Sequence, residues 1–214
     1  AAKFVAAATA TLDRIDPIRV ALTGSYGKTT IKVFINHLVT GSRAMVASPA
    51  SFNNTAGLSR AINEQLALDT EVFLAEMGTY GPGEIASMVS WVRPSISILS
   101  AIGPVHLERF GDLETIVKAK SEIFATSRTA ILNVDAHGLA AEADRLATSG
   151  LRVIRCSAED ATADVFVHRS DAGIEVRRGG TVIASCPGLD AALTNVACAV
   201  AAASVLGVTD EDIA

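Results

Sequence analysis

A glycine-containing segment near the start of the chain has the residue types needed to bind a phosphate. Residues 23–30 read TGSYGKTT, directly after an apolar run and before a helix-period segment. Glycines let a backbone turn sharply and direct its N–H groups at an anion, and a helix N-terminus adds positive potential. The Lys28 ammonium can neutralise β- and γ-phosphates, and the Thr29 hydroxyl can reach Mg²⁺. The segment predicts a nucleotide phosphate loop, although Leu22 stands where the longer consensus has its first glycine; an ordinary glycine-rich turn is the alternative.

A carboxylate follows another apolar run. Glu76 ends residues 72–76 and precedes Met77 and Gly78. In an α/β sheet the carboxyl end of a parallel strand faces the ligand crevice, and carboxylate oxygen suits Mg²⁺. Glu76 is therefore a candidate metal ligand, with a capping or solvated glutamate as the alternative.

Three further polar residues lie in or beside predicted strand-to-helix connections. His106 lies in residues 102–111, Lys120 in the helix that follows, and Asn54 in the polar loop 51–57. His106 and Lys120 are expected at the same sheet edge as Glu76. Spacing alone leaves them open as a structural histidine and a solvated lysine. Asn54 could cap the next helix or donate hydrogen bonds to phosphate and substrate.

Apolar runs rich in β-branched residues alternate with helix-period segments along the chain. This alternation predicts an α/β fold of the P-loop type, with a mostly parallel sheet flanked by helices. Short runs between residues 163 and 186, separated by turn-like pairs, predict a small antiparallel appendage. An Ala-rich helix from about 189 to 206 should end at a Gly207 cap. The parallel strands are predicted at residues 19–22, 44–48, 72–76, 96–101, 130–134 and 152–155.

Composition narrows the function classes. The chain of 214 residues is 50% hydrophobic, with a mean hydropathy of +0.37, which is ample for a packed core. Its net charge of −5 and scattered Lys and Arg argue against a nucleic-acid partner. The three cysteines lack CxxC spacing and are expected to be reduced, buried thiols in a cytoplasmic protein. No apolar run is long enough for a membrane span.

Together, these motifs resemble the central ATP-binding domain of the Mur ligase family, over essentially the whole chain. Within that family the pattern is most similar to the UDP-N-acetylmuramoyl-tripeptide:D-alanyl-D-alanine ligases. The matching segments are residues 23–30, NNTAG at 53–57, EMG at 76–78, GEI at 83–85, residues 103–111 around His106, AKSE at 119–122, LNVD at 132–135, and Asn195 in the last helix.

The resemblance implies a ligase that activates a carboxylate with ATP as an acyl phosphate and couples it to an amine, in peptidoglycan precursor synthesis. It implies that Glu76 and Thr29 hold one Mg²⁺ and His106 a second, with a carbamylated Lys120 steadying the second ion. Lys28, Glu76, His106 and Lys120 would be the catalytic residues. The implied nucleotide contacts are Gly24, Ser25, Tyr26, Gly27, Lys28, Thr29, Thr30, Asn54 and Asn195.

Family members also have an N-terminal domain for the UDP-sugar and a C-terminal domain that brings the amine. Residues 1–214 are therefore expected to be the central domain alone, inactive as a ligase by itself. Its partners would be ATP, a carboxylate-bearing small molecule, an amine and the flanking domains of the same enzyme.

Three alternatives remain: a folate or capsule polyglutamate ligase, a non-catalytic ATP-binding regulatory module, and a P-loop switch protein. The Asn53-Asn54 pair and residues 106–111 favour the cell-wall branch over the first. Retention of Glu76, His106 and Lys120 argues against the regulatory module, because nucleotide binding alone hardly needs a second metal.

Overall fold

The strands form one sheet. A computed structural model describes residues 2–49, 52–105, 107–171 and 173–214 of the chain. The strands of this part of the chain are β1 (Ile18–Thr23), β2 (Met45–Ala47), β3 (Val72–Glu76), β4 (Ile96–Leu99), β5 (Thr129–Asn133), β6 (Arg152–Ser157), β7 (Val165–Ser170), β8 (Gly173–Arg178) and β9 (Thr181–Cys186). Their order in the sheet is β2-β3-β1-β4-β5-β6-β7-β8-β9. Pairing is parallel from β2 to β7 and antiparallel from β7 to β9.

Helices cover both faces of this sheet. Within the described ranges they are α1 (Ala2–Ile15), α2 (Lys28–Val39), α3 (Thr55–Gln65), α4 (Glu84–Val92), α5 (Leu107–Phe110), α6 (Leu113–Ser121), α7 (Leu139–Thr148), α8 (Leu193–Val205) and α9 (Asp210–Ile213). A 3-10 turn, Glu122–Phe124, follows α6. None of the helices in the described ranges has the length and apolar character needed to cross a lipid bilayer.

The central strands are buried on both faces because successive side chains enter different helix layers. On β1, Val20 and Leu22 belong to the apolar cluster that includes residues of α2 and α8. Ala21 belongs to the opposite cluster, with residues of α1, α3, α4 and α7. This arrangement accounts for the continuous apolar runs in the sequence. It also places the carboxyl ends of β1, β3 and β4 side by side.

The predicted fold class is confirmed, with three refinements. The antiparallel strands continue the main sheet, because β7 pairs in parallel with β6 at Cys156 and Val165. The last helix begins at Leu193, later than predicted, because the chain turns at Gly188 (φ 75°) and the helix lacks a side-chain cap. Strand β4 ends at Leu99, before residues 100–103 contact the glycine loop.

The cysteines only partly match expectation. All three are free thiols. Cys156 and Cys198 are buried as predicted, whereas Cys186 is only half-buried. Burial raises the pKa of the Cys156 thiol well above its usual range.

Candidate functional site

The glycine-containing loop connects β1 to α2 at the centre of the sheet. β1 ends at Thr23 and α2 begins at Lys28. Gly27 has a φ of +83°, in the left-handed region that other residues rarely adopt. A Cβ on Gly24 would lie 2.0 Å from the Ser100 Oγ. Both glycines are therefore required by the local geometry.

Residues after β4 hold this loop in place. The backbone N–H of Ser25 donates to the Ala101 carbonyl at 2.8 Å, and the Ser100 hydroxyl donates to the Tyr26 carbonyl at 2.7 Å. The Gly103 N–H donates to the Ser25 Oγ at 3.0 Å. The Tyr26 ring, 57% exposed, lies against Gly103, where a Cβ would come within 2.4 Å of the ring. The loop is thus fixed without a ligand, which lowers the entropic cost of binding one.

Lys28 is the first residue of α2, and its ammonium folds back over the loop. Its Nζ donates to the Gly24 carbonyl at 2.8 Å. Burial lowers the pKa of Lys28, and the charge of Glu76 acts in the opposite direction. Thr29 and Thr30 are exposed in the same helical turn. The N-terminal turn of α2 is therefore open to solvent.

A polar cavity of about 170 Å³ lies beside the loop. Lys28 and Lys120 both line it, although 92 residues of sequence separate them. Lys120, on α6, is 6% exposed; burial, and secondarily the charge of Lys28, lower its pKa to about 8. The described lining contains no carboxylate, so the cavity favours a polyanion. Its lining is Gly24, Ser25, Lys28, Asn53, Gly78, Thr79, Tyr80, Val105, Phe110 and Lys120.

Glu76 lies at the carboxyl end of β3, as predicted, and is 4% exposed. Its Oε2 accepts a hydrogen bond from the Lys32 Nζ at 2.9 Å, and the same ammonium donates to the Ser48 carbonyl at 2.9 Å. Lys32 was not among the residues predicted from the sequence. It follows Lys28 by four residues, so both lie on one face of α2, among the buried Ile31 and Ile35. A lysine that lies between the buried apolar positions of a helix was the sequence signal that could have identified Lys32.

The two asparagines of the predicted site have different positions. Asn54 caps α3, its Oδ1 accepting from the Gly57 N–H at 2.9 Å. This is the capping alternative that the sequence left open. Asn195 lies in the first turn of α8 and contacts the loop: a Cβ on Gly27 would be 2.4 Å from its Oδ1. The fold therefore brings a residue of the last long helix to the glycine-containing loop.

Glu122 makes a contact that the sequence did not indicate. Its two carboxylate oxygens accept from the backbone N–H groups of Gly83 at 2.7 Å and Ala86 at 2.9 Å. These are free N–H groups at the N-terminus of α4, which has no side-chain cap of its own. Glu122 thereby joins the end of the helix that carries Lys120 to the connection between β3 and α4.

Only some of the predicted metal ligands lie in the part of the chain that the structure describes. His106 lies outside the described residues. Across the ranges that the structure describes, no group of three or more His, Cys, Asp or Glu side chains could hold a metal ion. Mg²⁺ commonly uses one or two protein oxygens together with substrate phosphates and water. Glu76 and the Thr29 hydroxyl fit that smaller requirement, and the two-ion arrangement stays a prediction.

Comparison with known proteins identifies a family. The family model described as Mur ligase middle domain matches residues 22–203. A UDP-N-acetylmuramoyl-tripeptide–D-alanyl-D-alanine ligase from Mycobacterium bovis is 31% identical over 213 residues, which cover 91% of this chain and 39% of that protein. The chain thus spans well under half of that relative's length.

Solved structures agree with the sequence match. The crystal structure of a MurF ligase from Thermotoga maritima in complex with ADP has a TM-score of 0.86 and 25% identity, covering 99% of this chain and 51% of that one. FolC of E. coli, in complex with DHPP and ADP, has a TM-score of 0.70 at 18% identity, covering 99% of this chain and 59% of that one. The FolC match shows a shared fold.

Proposed function

The chain belongs to the Mur ligase middle-domain family, and we propose that it is the ATP-binding part of a longer amide ligase. The longer enzyme would transfer the γ-phosphoryl group of ATP to a substrate carboxylate, and an amine would then displace phosphate to form an amide. The observation that carries this proposal is the cavity beside the loop, where Lys28, the buried Lys120 and an open helix N-terminus converge.

The loop residues would hold the nucleotide. Backbone N–H groups of residues 26–28 would donate to an anion that the loop wraps, and the Lys28 ammonium would exchange the Gly24 carbonyl for a phosphate oxygen. Tyr26, Thr30, Asn54 and Asn195 are proposed as further nucleotide contacts. Charge stabilisation of this kind supplies most of the catalysis of phosphoryl transfer.

Glu76 and Thr29 are the proposed ligands of one Mg²⁺. The Oε1 of Glu76 accepts no hydrogen bond from the described residues, so one oxygen of this carboxylate is available. A bound Mg²⁺ would neutralise charge on the β- and γ-phosphates. The second ion, proposed at His106 and Lys120, needs an acidic ligand that an ammonium cannot provide.

Lys120 is the proposed site of carbamylation. Its neutral amine would attack CO₂, forming an N–C bond and releasing one proton, and the product carries a carboxylate. A pKa of about 8 leaves about a tenth of Lys120 neutral at pH 7, compared with fewer than about one in a thousand for a lysine at 10.5. Burial therefore favours the modification.

The substrates are inferred from the relative of similar sequence. We infer a UDP-N-acetylmuramoyl-tripeptide as the carboxylate and D-alanyl-D-alanine as the amine, because the Mycobacterium bovis relative carries that name. The use of ATP argues for action in the cytoplasm. A folate-type ligase is the second candidate, but the FolC similarity extends to the fold only.

Calorimetric titration with Mg-ADP tests the nucleotide site. Wild type should bind, and Lys28→Ala should bind about 10- to 100-fold more weakly, because a hydrogen bond to a charged group contributes about 1.5–3 kcal/mol. Lys118→Ala, an exposed lysine of α6, is the matched control and should bind like wild type. Equal affinity of wild type and Lys28→Ala would exclude the loop as the phosphate site.

A further inference from the structure

A buried cluster connects α2, β2 and β3 behind the phosphate loop. The Lys32 ammonium contacts both the Glu76 Oε2 and the Ser48 carbonyl at 2.9 Å. The Ser48 hydroxyl accepts from the Glu76 backbone N–H at 3.0 Å. The side chains of Lys32 and Glu76 are 9% and 5% exposed. Lys32 therefore contacts the carboxylate of Glu76 and Ser48 its backbone, and no sequence motif assigned either residue to the site.

Stability alone gives little reason for this ion pair. Two charges lose their hydration when they are buried, and apolar residues of similar volume are often as stable or more stable in their place. The pair lies at the carboxyl end of a central strand, where ligands bind in α/β folds. Lys32 is also one helical turn from Lys28, whose charge interacts with Glu76. The location points to a role in the site.

The two carboxylate oxygens of Glu76 have different contacts. Oε2 is occupied by Lys32, and Oε1 accepts no hydrogen bond from the residues that the structure describes. A carboxylate fixed in this way can offer a metal ion one oxygen without rotating. Residues that orient metal ligands commonly change metal affinity 10- to 100-fold when they are replaced.

We propose that Lys32 is a positioning residue for Glu76, holding one carboxylate oxygen so that the other binds the Mg²⁺ that accompanies the nucleotide. This inference rests on the proposed function, which assigns Glu76 to the metal. Lys32 itself contacts neither metal nor phosphate in this arrangement. It is thus distinct from Lys28, whose contact with phosphate is direct.

The experiment is a titration of ADP binding against Mg²⁺, with the Mg²⁺ concentration at half-maximal effect as the readout. Lys32→Met should raise that concentration about 10- to 100-fold. Its affinity for ADP in excess EDTA should stay at the wild-type value. Lys118→Met, which removes an exposed lysine from α6, should keep the wild-type Mg²⁺ requirement.

A double-mutant comparison keeps the test decisive even if Lys32→Met alone does not fold. Lys32→Met alone leaves the buried Glu76 carboxylate without its partner. Glu76→Gln and Glu76→Gln/Lys32→Met both lack that carboxylate. If Lys32 acts through Glu76, the two variants should require the same Mg²⁺ concentration. A higher requirement in the double variant would overturn the proposal, because Lys32 would then act on the ligand independently.

The outcomes also separate this proposal from the proposed function. A raised Mg²⁺ requirement in Glu76→Gln together with an unchanged one in Lys32→Met would overturn the role of Lys32 and leave that of Glu76 intact. An unchanged requirement in Glu76→Gln would overturn both. Absence of ADP binding by wild type at any Mg²⁺ concentration would count against the nucleotide site itself.

Discussion

Replacement of Lys120 by methionine removes a buried positive charge from the cavity while keeping a side chain of similar length. The side chain is 6% exposed, and burial is the main cause of its lowered pKa. The lowering of the Lys120 pKa from 10.5 to about 8, at about 1.36 kcal/mol per pH unit, corresponds to a free-energy cost of about 3 kcal/mol for the buried charge. In CO₂-free buffer at pH 7, Lys120→Met should therefore be more stable to unfolding by up to about 3 kcal/mol.

The stability difference between wild type and Lys120→Met should depend on pH, in a direction set by the lowered pKa of Lys120. The pKa of Lys120 is lower in the folded chain, so the folded chain loses this proton first and wild type gains stability from about pH 8 to about 10.5. The advantage of Lys120→Met should be full below pH 8 and should vanish above 10.5. Urea unfolding of both proteins across this range measures it, with Lys118→Met as the exposed-lysine control.

Two results would refute this reasoning about Lys120. One is a variant less stable than wild type at pH 7. The other is a stability difference that stays constant as the pH rises. Added bicarbonate extends the test, because ¹³C-labelled bicarbonate should give wild type, slightly above pH 8, a carbamate signal that the spectrum of Lys120→Met lacks.

Three other predictions concern the loop and its supports. Lys28→Ala should lose about 10- to 100-fold in Mg-ADP affinity by calorimetry; unchanged affinity would count against a phosphate contact. Glu122→Ala should lower the free energy of unfolding by about 1 kcal/mol, the usual cost of a lost helix cap, and no loss in urea titration would mean that the cap is dispensable. Gly27→Ala should weaken ADP binding by displacing Asn195, whereas Gly180→Ala, with the same φ of +83° but open space around it, should only strain the backbone. Equal nucleotide affinity of these two glycine variants would exclude the Asn195 contact.

Apolar runs in the sequence predicted the strands well, because each run results directly from the burial of that strand. β1, β3, β4 and β5 are buried on both faces, and their apolar runs reflect that burial directly. The glycine-containing loop was predictable in part for a similarly local reason, since Gly27 serves a left-handed conformation within the loop itself, whereas the close approach of Ser100 to Gly24 involves a distant segment. The start of α8 was predicted too early, because an Ala-rich segment without a capping side chain gives no boundary signal.

Contacts between distant segments could not be predicted from the sequence. Lys32 and Glu76 are 44 residues apart, and their pairing depends on β3 lying beside the β1–α2 connection. Glu122 caps a helix that begins 38 residues earlier, so no sequence window contains both partners. The family resemblance assigned Lys120 to the site, but its approach to Lys28 depends on the fold, which brings both lysines to one cavity.

A crystal structure of the chain with bound Mg-ADP would show whether the loop at residues 23–30 holds the nucleotide phosphates. We expect β-phosphate oxygens about 3 Å from backbone nitrogens of residues 26–28, with the Lys28 Nζ moved from the Gly24 carbonyl to phosphate. We also expect Mg²⁺ bound by one oxygen of Glu76 and the Thr29 hydroxyl. Nucleotide bound away from this loop, with Lys28 still on the Gly24 carbonyl, would contradict the proposed site.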